Sequence, residues 1–307
     1  MKSKGLVLAA GLFACSQLFA GAGSSTPSLN GSYPIVFSHG MFGWGANDTS
    51  SLIGIFKYWG GMDDYLRSRG AVVYAPGKSA LQSNAFRAQE LKDKINTFMA
   101  AGGYSKVHII GHSQGGLDSR YMIANLGMAS KVSTLTTLST PHYGAPIADI
   151  ILGVVPSWLL PFVNTTVSTL TKIVWGGSSN NLNASLNSLT TTNAASFNST
   201  TPNSAGVKYY SYGSKVTLPD LIQHPLMGLL VPITGVGGVA KGQGLDNDGL
   251  VPLSSAKWGT WKGSPSYGIL TTGLDHLEVS NTLSLGEAWF DVRSFWLTMA
   301  VNAKSNQ

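Results

Sequence analysis

Apolar residues follow two rhythms that alternate along this chain. Unbroken runs at 33–37 (Tyr33-Pro34-Ile35-Val36-Phe37), 71–75, 106–110 and 132–138 lack the polar alternation of a half-exposed strand and predict strands buried on both faces. Between the second and third runs, 84–101 places Phe86, Leu91, Ile95, Phe98 and Met99 near helical spacing, opened by Asn84 and stopped by Gly102-Gly103. A second helix is expected from just after Ser113 to Gly127. Strand, helix, strand, helix implies an α/β fold: a mostly parallel central sheet with helices on both faces. Later strands are expected at 207–212 and 267–272, and a last helix at 285–300.

One stretch breaks this rhythm. The 70 positions 150–219 hold no carboxylate and only three cations, Lys172, Lys208 and Lys215. The stretch begins strongly apolar, through Trp158-Leu159-Leu160-Pro161-Phe162-Val163, and turns rich in Ser, Thr and Asn over 180–203. An apolar insertion in the second half of an α/β sheet suits a mobile helical cap, placed here at about 147–203. An ordinary helix packed on the core is the alternative.

Composition narrows the setting. Charged residues are only 11% of the 307 positions, less than half the usual share, so the surface draws its polarity from Ser, Thr, Asn and Gly. That suits an extracellular or interfacial protein. The amino terminus carries Lys2 and Lys4, an apolar run over 5–14, and small residues ending Ala20-Gly21-Ala22, the form of an export signal cleaved before Gly23. This predicts a secreted single domain over 23–307 after removal of 1–22. Without the two leader lysines the net charge falls from +6 to +4. The one cysteine, Cys15, leaves with the leader, so the mature chain forms no disulfide. Leu12-Phe13-Ala14-Cys15 only weakly fits a lipid-anchoring site. Five scattered arginines offer no basic stripe for nucleic acid, and no 18-residue apolar run follows the leader to span a membrane.

The chemistry-bearing residues sit at strand ends. Gly111-His112-Ser113-Gln114-Gly115 follows a predicted strand and precedes a predicted helix, the context in which G-x-S-x-G is a nucleophile elbow. Ser113 must occupy a strained turn, and side chains at 111 and 115 would strike backbone. A serine hydroxyl needs a base and a carboxylate to orient that base. In the order Ser, acid, His, the base is His276, close to the carboxyl terminus; His142 is expected to brace a loop and His224 to be structural. Asp248 in the turn Asp246-Asn247-Asp248-Gly249 is the chosen acid, with Asp246 as the alternative. Backbone N–H groups of Gln114 and of Met41, in the loop Ser38-His39-Gly40-Met41, are the expected oxyanion donors, with His39 bracing that loop. Gly77-Lys78-Ser79 and Gly235-Val236-Gly237-Gly238 superficially suggest nucleotide loops; both lack the required context and are expected to be turns.

The motifs Pro34-Ile35-Val36-Phe37-Ser38-His39-Gly40-Met41, Gly111-His112-Ser113-Gln114-Gly115-Gly116, Ser139-Thr140-Pro141-His142-Tyr143-Gly144 and Asp246-Asn247-Asp248-Gly249 together resemble the secreted bacterial triacylglycerol lipases of the Pseudomonas, Burkholderia and Proteus type. The resemblance runs from Tyr33 to about Asn281. It implies an α/β-hydrolase fold with a helical lid, a water-insoluble ester or lipid interface as partner, and the nucleophile, acid, base and donors on the residues chosen above. It also implies a structural Ca²⁺ whose carboxylate ligands fall on Asp220 and Glu278, the latter where the family usually has Asp, with Thr282 where it tends to carry an amide. Many relatives need a dedicated folding chaperone. A polyester depolymerase or short-chain carboxylesterase is the alternative within the hydrolases, and a catalytically silent binding protein the alternative outside them.

Overall fold

The computed structural model describes residues 26–45, 57–153, 181–217, 225–265, 273–282 and 290–307. The leader over 1–22, the middle of the insertion (154–180), Asp220, His224 and the expected strand at 267–272 lie outside the described residues.

Among the described residues six parallel strands form the sheet: β1 (Ile35–Ser38), β2 (Val73–Tyr74), β3 (Val107–His112), β4 (Val132–Leu138), β5 (Lys208–Tyr212) and β6 (Thr260–Trp261), in the order β2-β1-β3-β4-β5-β6. Every residue of β1, β3 and β4 is buried, as their unbroken apolar character requires. Side chains alternate between the two faces. Ile35, Phe37 and Ile110 point to a cluster with Trp59, Leu66 and Trp296, which brings in α1 (Met62–Ser68) and the last helix, α8 (Val292–Lys304). Val36, Ile109 and Leu135 point the other way, against Leu91, Ile95 and Met99 of α2 (Asn84–Gly102) and Met122 and Ile123 of α3 (Gln114–Asn125).

Helix boundaries follow local chemistry. α2 is capped by Ser83, whose Oγ accepts the Phe86 N–H, so Asn84 is its first residue and not its cap. It stops at Gly103, whose φ of 66° is left-handed. α8 reaches Lys304, four residues beyond the expected end, because Trp296, Met299, Ala300 and Ala303 continue its buried face. Within the insertion α4 (Pro146–Ile151), α5 (Leu182–Leu189) and α6 (Thr191–Thr200) are helical. The segment around Gly235-Val236-Gly237-Gly238 is not a turn but lies inside α7 (Pro225–Ala240). Its glycines allow close approach: a Cβ at Gly237 would stand 2.9 Å from Pro146 Cβ on α4, and one at Gly238 only 2.4 Å from the Gly244 carbonyl.

The strand order reverses between β1 and β3: from β1 the chain crosses to β2 on one side, then to β3 on the other. In open parallel sheets the carboxyl ends of the strands at such a reversal flank a crevice. Here those ends carry the loop after Ser38 and the turn at Ser113, with Ser38 in register with Gly111.

Candidate active site

Ser113 occupies the turn between β3 and α3 at φ 55° and ψ −132°, a conformation a non-glycine residue adopts only under surrounding constraint. The constraint is visible. The Ser113 N–H donates to Leu138 O at 2.9 Å, and Thr140 Oγ1 donates to Ser113 O at 2.9 Å. The flanking glycines are required sterically: a Cβ at Gly115 would lie 2.0 Å from Ser38 O, one at Gly116 2.2 Å from Thr140 Oγ1, and one at Gly111 2.8 Å from Gly116 Cα.

The expected base and acid are paired. His276 Nδ1 lies 2.9 Å from Asp248 Oδ2, and the His276 N–H donates to Asp248 O at 2.9 Å. A carboxylate only accepts, so Nδ1 is the donor in this pair. Asp248 is buried, and its Oδ1 accepts the Leu250 and Val251 N–H groups at 3.1 and 2.8 Å, which fixes the carboxylate plane. The alternative acid, Asp246, faces outward in a half-exposed ion pair with Lys215. His276 lies beside the elbow, its ring 4.6 Å from that of His112. The Ser113–His276 hydrogen bond itself is not formed: none within 3.5 Å joins Ser113 Oγ to His276. Bonds of this kind tighten in the substrate complex.

The loop after β1 runs directly over the nucleophile. A Cβ at Gly40 would lie 2.7 Å from Ser113 Cβ and 3.2 Å from Ser113 Oγ. Among the described residues neither the Met41 N–H nor the Gln114 N–H donates to a protein acceptor. The Gln114 amide opens α3, where unsatisfied donors and the positive end of the helix dipole gather. His39 braces the loop as expected: its Nε2 accepts the Lys78 N–H at 3.0 Å, so Nδ1 is the donor to Gly40 O at 2.9 Å. Burial, and then the charges of Lys78 and Arg87, hold its pKa well below the usual histidine range. The ring is therefore neutral.

Beneath this loop lies a buried charge network that sequence reasoning did not find. Lys78 Nζ and Arg87 Nε each donate to Asp118 Oδ2 at 2.8 Å, with all three side chains buried. Lys78 Nζ also donates to His39 O at 2.6 Å, and Arg87 Nη2 to His39 O and Gly40 O at 2.7 and 3.0 Å. Burial and the neighbouring Arg87 push the Lys78 pKa down to about 7. Gly77-Lys78-Ser79, expected as a turn, is irregular chain with no turn, and through Lys78 it supports the loop after β1. A charged residue in a turn looks solvated in a sequence, and no local pattern distinguishes a buried one.

Other histidines have structural roles. His142 is buried between Thr137 Oγ1 at 3.0 Å and Arg120 Nη1 at 3.1 Å. Arg120 in turn holds Asn198 and Thr201, at the end of α6, and stacks on Trp258. His108 bonds Thr134 Oγ1 at 2.9 Å.

Apolar clusters adjoin the site residues. The Met41 side chain packs with Leu186, Leu189 and Leu117; Leu277, next to His276, and Leu250 pack with Ile147 and Leu230. Glu278 is buried in the turn after His276, where its Oε2 accepts the Asp275 N–H at 2.6 Å, while Asp275 Oδ1 accepts the Leu277 and Glu278 N–H groups at 2.7 and 2.8 Å. Two buried carboxylates on one turn supply the hard oxygen donors that Ca²⁺ prefers. Among the described residues no group of three acidic, histidine or cysteine side chains gathers around a common point. No helix of the described residues is long and apolar enough to cross a membrane.

Comparison with known proteins identifies the fold and the family. Residues 33–221 match the family model described as alpha/beta hydrolase fold. The chain is 30% identical over 278 residues to a triacylglycerol lipase of Vibrio cholerae, covering 83% of this chain and 84% of that protein. It is 34% identical over 184 residues to a triacylglycerol lipase of Burkholderia plantarii, covering 57% and 49%, and 29% identical over 240 residues to triacylglycerol lipase 2 of Saccharomyces cerevisiae, covering 76% and 65%. It thus spans about half to two thirds of the length of several of these relatives. Among solved structures, the Staphylococcus hyicus lipase aligns with a TM-score of 0.59 at 21% identity, over 92% of this chain and 99% of that one, and the mature Bacillus licheniformis lipase BlEst2 with a TM-score of 0.59 at 21% identity, over 87% and 92%. The chain belongs to the α/β hydrolase fold family and, within it, to the triacylglycerol lipases.

Proposed function

We propose that the chain is a secreted triacylglycerol lipase that works through an acyl-enzyme on Ser113. The observation that carries the reading is the His276–Asp248 pair at 2.9 Å, set beside a serine in a strained turn whose neighbouring Met41 and Gln114 amides find no acceptor among the described residues. Ser113 Oγ attacks the acyl carbon while His276 Nε2 takes its proton. Asp248 holds the imidazole in the required tautomer and stabilises the imidazolium. The Met41 and Gln114 N–H groups receive the oxyanion. His276 then passes the proton to the leaving alcohol, and water repeats the sequence to release the acid.

The apolar clusters adjoining the site residues favour a water-insoluble acyl ester. α7 adds an outward face of Leu229, Val236 and Val239, which suits contact with a lipid surface. The leader-like 1–22 supports export, and the sequence resemblance to secreted bacterial lipases implies a structural Ca²⁺ held by Glu278 with Asp220 and a dedicated folding chaperone. The decisive measurement is hydrolysis rate against triglyceride concentration across the solubility limit. A jump at that limit is expected; smooth saturation below it, with preference for short p-nitrophenyl esters, would instead assign a short-chain esterase.

A further inference from the structure

Tyr58 and His112 stand outside the triad and the oxyanion amides, yet a single file of hydrogen bonds passes through both. The Gly40 N–H donates to Tyr58 Oη at 2.9 Å, and Tyr58 Oη lies 2.8 Å from His112 Nδ1. Across the ring, His112 Nε2 lies 3.0 Å from the His276 carbonyl oxygen. A carbonyl only accepts, so Nε2 carries the proton and Nδ1 is the acceptor. The phenol therefore donates to Nδ1 while its oxygen receives the Gly40 N–H. Every proton in the file has one position, and on the preceding peptide the His276 N–H donates separately to Asp248 O at 2.9 Å.

Both side chains are locked in place. Tyr58 is buried and meets Trp59 and Trp44 edge-on, with ring centroids 4.7 and 5.4 Å away. A Cβ at Gly40 would lie 3.1 Å from Tyr58 Oη and 3.2 Å from Ser113 Oγ, so phenol and nucleophile flank the same peptide. His112 is buried, and burial followed by the proximity of His276 holds it neutral.

We propose that Tyr58 and His112 are positioning residues for ester hydrolysis: their file of hydrogen bonds locks the Gly40–Met41 donor loop and the His276 loop in one register across Ser113. Neither side chain exchanges a proton with substrate. The two loops approach from opposite ends of the chain, residues 40 and 276, and this file is a polar connection between them that runs through the elbow itself. Breaking it at any point frees the donors to drift from the base, and displacements of about 1 Å at such sites cost up to ~100-fold in rate.

The test compares Tyr58→Phe, His112→Leu, His112→Gln and the Tyr58→Phe/His112→Leu double variant, with kcat expressed per site titrated by a serine-directed phosphonate. Tyr58→Phe keeps the ring and removes only the hydroxyl. Tyr58→Phe and His112→Leu are expected to lower kcat about tenfold or more with KM within about twofold. His112→Gln keeps a donor near the position of Nε2, and recovers most of the His112→Leu loss. The double variant is no worse than the poorer single one, because the file is already broken. Parent-like kcat in Tyr58→Phe, or single losses that multiply in the double variant with no recovery by Gln, would overturn the proposal. Should His112→Leu fail to fold, Tyr58→Phe and His112→Gln decide. The inference rests on Ser113 and His276 carrying the chemistry, and Ser113→Ala separates the two failures. Activity surviving in Ser113→Ala sinks the lipase reading; an inactive Ser113→Ala beside parent-like Tyr58→Phe sinks the positioning role alone.

Discussion

Arg87 Nη2 donates to the carbonyl oxygen of Gly40 at 3.0 Å, and this bond aims the amide at the other end of the same peptide. A trans peptide is planar, so its C=O and N–H point in opposite directions. With Gly40 O drawn down to Arg87 and His39 Nδ1, the Met41 N–H is turned away from them, on the side where Gly40 meets Ser113. Arg87→Met is expected to lower kcat by roughly 10- to 100-fold with little change in KM, somewhat less than deleting an oxyanion donor. It also takes a buried donor from the Ser79, His39 and Gly40 carbonyls, a loss of about 1–3 kcal/mol. Steady-state kinetics and urea unfolding check the two effects separately.

Asp248 and Asp246 are two residues apart, but only Asp248 touches the base. Asp248→Asn is expected to reduce kcat by about 10³- to 10⁴-fold, because the amide favours the wrong imidazole tautomer. Asp246→Asn removes only an exposed ion pair with Lys215 and is expected to leave kcat within about twofold and stability within about 1 kcal/mol. Kinetics on a soluble ester give the ranking, and the reverse order would move the acid to Asp246.

How far these contacts were legible beforehand depends on whether their causes are local. The strands at 107–112 and 132–138 were visible because burial on both faces forces an unbroken apolar run. Ser113 was visible because its strained turn demands glycine at 111 and 115, and Asp248 because it precedes Gly249, whose φ of 98° closes the tight polar turn that holds the carboxylate. Arg87 and Lys78 were not visible. Nothing near them shows that Asp118, on α3, accepts from both out of water. α7 was misread for a related reason. Its glycines and Pro232 oppose a helix locally, but packing against Pro146, Ile150 and Gly244 outweighs that preference.

Stability should fall steeply in mild acid. Burial holds His39, His112 and His142 well below the ordinary histidine pKa of 6.5, and takes His108 down to about 4. Below pH 6.5 the unfolded chain binds protons that the fold excludes, so unfolding free energy drops as pH falls, by up to about 1.4 kcal/mol per pH unit for each histidine. Above pH 7 these groups contribute no slope. His108→Gln should flatten the slope between pH 6 and about 4 by close to one proton, measured by urea unfolding across that range.

Removal of calcium tests the proposed ion. If Glu278 and Asp220 hold Ca²⁺, a chelator lowers the melting temperature, and saturating ion at about 100 times Kd restores about 2.7 kcal/mol. Glu278→Gln should remove most of that response. A melting temperature that ignores both chelator and added Ca²⁺ would exclude the site.

The central claim is that Ser113 forms a covalent bond to the acyl group. Intact-mass analysis after treatment with a p-nitrophenyl alkylphosphonate measures this directly. One adduct per chain, mapped to Ser113 and absent from Ser113→Ala, is the predicted result. A folded protein that turns over esters yet takes no adduct, or takes it at another residue, would contradict it.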